Sequence, residues 1–144
     1  MGHEEAAIRE HHALSPVTFV SQKEQLGTGH AVAQAVDHLT SSKTLILLGD
    51  VPCIREESIK QLAQSDADVV VLTQTVNDPR GYGRIIRNEK GQPSKIVEEK
   101  DATPNEKLVK EINTGIFCVD TALLKKFLST LNNSNAKGEY YLTD

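Results

Sequence analysis

The dipeptide Gly49-Asp50 closes the apolar run Thr44-Leu45-Ile46-Leu47-Leu48, which sets a carboxylate where a buried strand would emerge. In open α/β sheets ligands gather outside the carboxyl ends of the strands, so Asp50 is a candidate for the floor of a ligand crevice. Its hard oxygen suits Mg²⁺, a cation held by one or two carboxylates together with substrate phosphates, and Gly49 lets backbone or phosphate approach closely. The same dipeptide also serves as a plain turn, with Asp50 capping the segment that follows. The second candidate is the loop Gln22-Lys23-Glu24-Gln25-Leu26-Gly27-Thr28-Gly29-His30-Ala31. Glycines on both sides of Thr28 allow the backbone to press against a flat base or a phosphate, and a helix starting near Gly29 directs free N–H groups at the same space. The Gln22 amide offers the paired donor and acceptor that a pyrimidine edge requires. A Gly-x-Gly also occurs in ordinary strand-to-helix turns. His30 reads as a helix-start residue rather than a ligand, and His11-His12 as an exposed pair rather than a metal site.

Alternating strands and helices must position these residues. Gly2 to Ala13 is expected to be helical, Val17-Thr18-Phe19-Val20 a short strand, and about Gly29 to Leu39 a helix with the stripe Val32, Ala35, Val36 and Leu39. The strand Thr44 to Leu48 follows, then a helix with Glu56 and Glu57 in its first turn and Ile59, Leu62 and Ala63 on its buried side. Asp68 to Thr75 supplies the next strand. Continuous apolar runs indicate strands covered on both faces, the parallel-sheet situation, so this β-α-β-α-β order predicts a mostly parallel, doubly wound, Rossmann-like α/β sheet. Beyond Val76 the pattern changes. Asn77 to Gly83 is rich in turn residues, and Arg84-Arg87 and Ser94-Glu98 flank Asn88 to Pro93 like the arms of an antiparallel hairpin. A charged helical segment is expected over Thr103 to Lys110 and a strand interrupted by Gly115 over Ile112 to Val119. Asp120 then caps an amphipathic helix carrying Leu124, Phe127, Leu128 and Leu131, and Gly138 to Asp144 looks like the start of another.

A chain of 144 residues that is 38% hydrophobic and 25% charged fits one globular domain with one core. The formal charge of −4 argues against a general nucleic-acid binder, which needs excess Lys and Arg against phosphate. No stretch has the apolar length of a membrane span and the first residues lack the apolar core of a signal peptide, so a cytoplasmic protein is expected. Cys53 and Cys118 lie far apart and outside metal-ligand spacing, which favours reduced thiols. No histidine neighbours Cys53 in sequence to make it a nucleophile.

Six segments, "QKEQLGTGHAVAQAV", "LILLGDVP", "DPRGYGRI", "KIVEEKDAT", "EINTGIF" and "NNSNAKGEYYLTD", together span nearly the whole chain. In order and approximate spacing they resemble the uridylyltransferase domain of bacterial bifunctional UDP-N-acetylglucosamine pyrophosphorylase/glucosamine-1-phosphate N-acetyltransferase. The resemblance implies UTP and N-acetylglucosamine 1-phosphate as substrates and UDP-N-acetylglucosamine and diphosphate as products, made for peptidoglycan and lipopolysaccharide precursors. By motif it makes Gln22, Gly27 and Thr28 the uracil-binding set, and Leu48 and Gly49 further nucleotide-binding residues. Asp50 becomes the Mg²⁺ ligand and the residue on which catalysis turns. Gly83, Glu98 and Asn113 become the holders of the N-acetylglucosamine moiety, as a sugar needs a carboxylate, an amide and a bare backbone turn around it. From the residues alone, Glu98 could equally be a surface ion-pair partner, Asn113 a satisfied strand end and Gly83 a turn glycine.

The departures are as specific as the matches. The family begins with a strand, a glycine-rich loop bearing Arg, and a Lys, which hold the triphosphate. Its second metal ligand, an Asn, lies downstream of the Gly-Glu-Tyr-Tyr segment, as does the acetyltransferase domain through which the parent protein is expected to form homo-oligomers. Residues 1–144 therefore read as a partial uridylyltransferase domain, with at most trace activity by itself. Leu48 stands where the family often has Tyr. The alternatives are a sugar-phosphate nucleotidyltransferase of another specificity and a non-catalytic nucleotide-sugar-binding fragment.

Overall fold

The computed structural model describes residues 5–144, and these divide into two compact units. The first comprises the chain up to Thr40 with Lys125–Leu142 and Asp144; the second comprises Ser41–Leu124 with Thr143.

The second unit is built on one five-stranded sheet. Strand β1 (Lys43–Ile46) leads through helix α3 (Glu56–Gln64) to β2 (Val69–Thr75); β3 (Arg84–Arg87) and β4 (Pro93–Val97) form a hairpin; β5 (Glu111–Asp120) completes the sheet. Two earlier helices, α1 (Glu5–His11) and α2 (Thr28–Gln34), belong to the first unit. The core of the second unit is Leu62 of α3 against Ile116 and Cys118 of β5, with Leu45, Val51, Ile54, Val70 and Leu72 packed around them. In α3 Leu62 is fully buried and Ile59 half-buried, whereas Ala63 is exposed, so the expected buried side of that helix holds for Ile59 and Leu62 and not for Ala63.

The Rossmann-like α/β class stands, but strand direction differs from the expectation. β1 and β2 run the same way, as a β-α-β unit requires, yet β5 lies between them and pairs antiparallel with both: Leu45 and Val70 each stand opposite Cys118. The hairpin pair β3 and β4 and the junction Arg84↔Ile112 are antiparallel too. An apolar run reports that both faces of a strand are covered and carries no information on its neighbour's direction. The apolar run that fills the space between β1 and β2 comes from Ile116–Val119, far along the chain.

Other differences have local causes. Val17–Val20 is not a strand; Val17 is exposed, and Phe19 lies under the Arg9 guanidinium at 5.1 Å. The helix expected from Gly29 splits at Ala35 into α2 and a 3₁₀ turn over Val36–His38, although Val32, Ala35, Val36 and Leu39 all remain half-buried. Thr103 to Lys110 yields only a 3₁₀ turn, Glu106–Leu108, closed by reciprocal bonds between the Thr103 hydroxyl and amide and the Glu106 carboxylate. That is capping-box chemistry without a helix long enough to follow it. Of the first expected helix, Gly2 and His3 and Glu4 lie outside the described residues. Gly138 to Asp144 forms turns rather than a helix. Asp120 does cap α4 (Thr121–Leu128), its Oδ1 accepting the Leu123 N–H at 2.9 Å.

Candidate active site

Candidate residues occur in both units. In the first, the Gln22 to Gly29 loop is held by the segment that contains Tyr140. The Tyr140 N–H donates to the Leu26 carbonyl at 2.7 Å, and the Gly29 N–H donates to the Tyr140 carbonyl at 2.9 Å. This two-sided pairing explains the glycines. Gly27 sits at φ 114°, ψ 177°, and a Cβ there would lie 2.5 Å from the Tyr140 carbonyl oxygen; one on Gly29 would lie 2.5 Å from Leu131 Cδ1. The Thr28 hydroxyl accepts the Leu142 N–H at 3.0 Å, so its own proton remains to be donated. Gln22 Nε2 reaches the Gly27 carbonyl at 3.2 Å and His30 Nδ1 at 3.1 Å. Gln22, Gly27 and Thr28 thus form one cluster, closed by Tyr140 and Leu142. The Gly-Glu-Tyr-Tyr-Leu motif was visible in the sequence, but its distance from Gly27 along the chain hid this contact.

In the second unit, β1 ends at Ile46 and the chain runs extended to a turn at Gly49-Asp50, where the Val51 N–H donates to the Leu48 carbonyl at 3.2 Å. Asp50 is exposed, and among the described residues no hydrogen bond or ion pair engages its carboxylate. The turn of the alternative reading is thus present, while the capping by the Asp50 side chain has no bond among the described residues. No atom lies within 4 Å of where a Cβ on Gly49 would stand, so protein packing does not explain that glycine. Leu48 turns its side chain onto Gly115: a Cβ on that residue would fall 2.6 Å from Leu48 Cδ1. Gly115 has φ 77° and lies in a bulge where two steps along β2, Val71 to Thr73, are matched by four along β5, Phe117 to Asn113. The bulge is stitched by the Thr114 hydroxyl donating to the Leu72 carbonyl at 2.6 Å and by the Gly115 N–H donating to Asn113 Oδ1 at 2.9 Å. Asn113 therefore has its oxygen occupied and its two Nδ2 protons to offer.

Gly83, Glu98 and Asn113 come together. The Asn113 N–H donates to the Gly83 carbonyl at 2.9 Å, and a Cβ on Gly83 would stand 3.2 Å from Glu98 Oε1. The same Oε1 accepts the Thr143 hydroxyl at 3.0 Å. What fixes this arrangement was not apparent in the sequence. Arg84, 1% exposed, donates to Glu99 Oε2 at 2.6 Å and to the Tyr82 carbonyl, tying the turn before Gly83 to the strand end that carries Glu98. The guanidinium bond holds the Glu99 carboxyl below the usual carboxylate range, against the opposing effect of desolvation. Before it, the Arg80 N–H and guanidinium bind Asp78, which lowers the Asp78 pKa to about 2 and fixes the loop that delivers Gly83.

No cluster of three or more metal-ligating side chains occurs among the described residues. A single exposed and unengaged carboxylate fits a hard cation that is otherwise held by water and substrate phosphates. No helix among the described residues is long and apolar enough to cross a membrane.

The chain is 51% identical over 144 residues to the bifunctional protein GlmU of Francisella philomiragia, 49% identical over 146 residues to that of Pseudomonas putida, and 51% identical over 132 residues to that of Methylococcus capsulatus. It is covered almost completely by the first two, at 99% and 100%, and to 90% by the third, yet it spans only 32%, 32% and 29% of their lengths. Among solved structures, a UDP-glucose pyrophosphorylase complexed with UDP-glucose matches 98% of the chain and 58% of its own at a TM-score of 0.73 and 18% identity. HddC from Yersinia pseudotuberculosis, complexed with GMP-PN, matches 97% and 59% at a TM-score of 0.65 and 19% identity; both show the fold. The model of the nucleotidyl transferase family matches residues 3–144, and the chain belongs to that family.

Proposed function

We propose that the chain forms part of a uridylyltransferase that converts UTP and N-acetylglucosamine 1-phosphate into UDP-N-acetylglucosamine and diphosphate in the cytoplasm, for peptidoglycan and lipopolysaccharide synthesis. The observation that carries this reading is the meeting of Gly83, Glu98 and Asn113. An accepting carboxylate and a donating amide stand beside a bare glycine, a donor set suited to the hydroxyls and acetamido group of a sugar. Gln22 and the Gly27-Thr28 backbone read the uracil. Asp50, with Gly49 leaving room beside it and Leu48 seating the turn, would hold Mg²⁺. When bound there, Mg²⁺ neutralises charge on the phosphate oxygens. An oxygen of the sugar phosphate attacks the α-phosphorus of UTP in line, the bond to the β-phosphate bridging oxygen breaks, and diphosphate leaves with the electron pair. Positioning and charge neutralisation carry such transfers, and no protein nucleophile is needed.

The test uses a chimera in which this chain replaces the matching segment of the Francisella relative, because the chain spans about a third of that protein. Diphosphate release from UTP and N-acetylglucosamine 1-phosphate is followed for the chimera and its Asp50→Asn form. Mg²⁺-dependent release by the first and its loss in the second, with an unchanged melting temperature, is the expected result. Asn retains turn-forming ability without the charge, so a variant with near-normal rates would remove Asp50 from the chemistry. Failure of the unaltered chimera with this sugar phosphate, alongside turnover of another, would reassign the substrate.

A further inference from the structure

His30 is absent from the site proposed above, yet its ring stands between two amides. Nδ1 lies 3.1 Å from Gln22 Nε2, and Nε2 lies 3.1 Å from Gln34 Nε2. A neutral imidazole has one lone pair and one N–H, so it can accept from only one of the two glutamines. Gln22 is half-buried, and its second Nε2 proton goes to the Gly27 carbonyl at 3.2 Å; turning its amide over would bring two oxygens into contact there. Gln34 Nε2 also donates to the His30 carbonyl at 3.2 Å, but Gln34 is exposed, so water can take the place of the ring as its second acceptor. The competition resolves in favour of Gln22, with His30 unprotonated at Nδ1 and carrying its proton on Nε2.

We infer that His30 is a positioning residue that fixes the Gln22 amide in one orientation and thereby makes the loop select uracil over cytosine. This rests on the reading of Gln22 as the base-contacting residue. With both Nε2 protons committed to Gly27 and His30, Gln22 offers a ligand only its Oε1, which no described residue engages. An oxygen accepts the N3–H of uracil. Opposite cytosine it meets the N3 lone pair, and a buried polar pair left unmatched is what gives such sites their discrimination. An amide free to turn over could serve either base, so selectivity resides in the residue that prevents the turn.

Two measurements test this, the first on the 144-residue chain. A long-range ¹⁵N–¹H spectrum of the His30 ring at pH 8 needs no nucleotide; an unprotonated Nδ1 is expected, and a protonated Nδ1 overturns the proposal. Calorimetric titration with UTP and with CTP, on the Francisella chimera because this chain spans about a third of that relative, then compares its wild-type, His30→Phe and His30→Asn forms. The Phe ring keeps the bulk without the acceptor, whereas the Asn oxygen restores an acceptor near the Nδ1 position. Loss of one hydrogen bond restraining the amide should lower the UTP-to-CTP affinity ratio roughly five- to tenfold in His30→Phe, with recovery in His30→Asn. A merely structural His30 would weaken both nucleotides equally, and an unchanged ratio refutes the inference. Failure of wild type to bind either nucleotide refutes the base-reading role of Gln22 itself, while the nitrogen spectrum still decides its orientation.

Discussion

Replacing Gly27 with Ala should release the nucleotide loop from the Tyr140 segment. The backbone at φ 114°, ψ 177° is in a region reserved to glycine, and an L residue held there costs about 1–3 kcal/mol. The new methyl would also stand 2.5 Å from the Tyr140 oxygen, 2.9 Å from its nitrogen and 3.0 Å from its carbonyl carbon. These are backbone atoms that cannot swing aside, so relief requires giving up the bonds from Tyr140 to Leu26 and from Gly29 to Tyr140, each contributing about 1 kcal/mol. Together the local loss is about 3–5 kcal/mol, a large share of a domain's stability. Urea denaturation gives the total, and amide hydrogen exchange localises it: Gly29 and Tyr140 should lose protection while Ile116 to Val119 in β5 keep theirs. Gly49→Ala is the control, since its methyl would meet nothing within 4 Å, and it should fall within about 0.5 kcal/mol of wild type. If Gly27→Ala moved neither the urea midpoint nor the two amides more than this control, steric demand from Tyr140 would not be the reason for glycine at 27.

Glu106 is held at a pKa of about 2, first by Lys95 and then by the Thr103 amide and hydroxyl. A carboxyl depressed in the folded state stabilises above its unfolded value near 4.5 and loses that contribution as pH falls from there towards 2. Urea midpoints between pH 6 and pH 3 should therefore drop less steeply for Glu106→Gln than for wild type, and parallel curves would contradict the assignment. Removing Glu99 leaves the buried Arg84 guanidinium with an unpaired arm in addition to its partnerless Nε. Because Glu99 is itself about a third exposed, Glu99→Gln should lower the urea midpoint, by less than the loss of a fully buried pair would. In the chimera, the same substitution should raise KM for the sugar phosphate more than it lowers kcat, since it disturbs the Tyr82-Gly83 turn rather than the phosphates.

The sequence was legible wherever a signal was local. The Asp120 cap, the hairpin between Arg84 and Val97, the break at Gly115 and the turn at Gly49-Asp50 follow from short-range residue chemistry, and all four occur. Pairing was not legible. Nothing in Leu45 or Val70 announces that Cys118 will stand between them, because a neighbour's direction is set by where the chain returns, not by the strand's own residues. The candidate site divides in the same way. Asp50 and the glycines are candidates by residue type, whereas Arg84, Glu99 and the Tyr140 contact depend on partners distant in sequence.

The position of β5 has a consequence for how the protein is made. β1 and β2 leave the ribosome long before Glu111–Asp120, and without that strand neither has its hydrogen-bonding partner within the sheet. Among the described residues, the edges of β1 and β2 that face β5 therefore stay open throughout synthesis of the hairpin, a state that invites pairing with other chains. Closing them requires a long loop to be ordered first, which slows folding relative to a sheet assembled from neighbours. Truncations that end before residue 111 should accordingly accumulate as aggregates, and chaperone dependence during translation should end as β5 emerges.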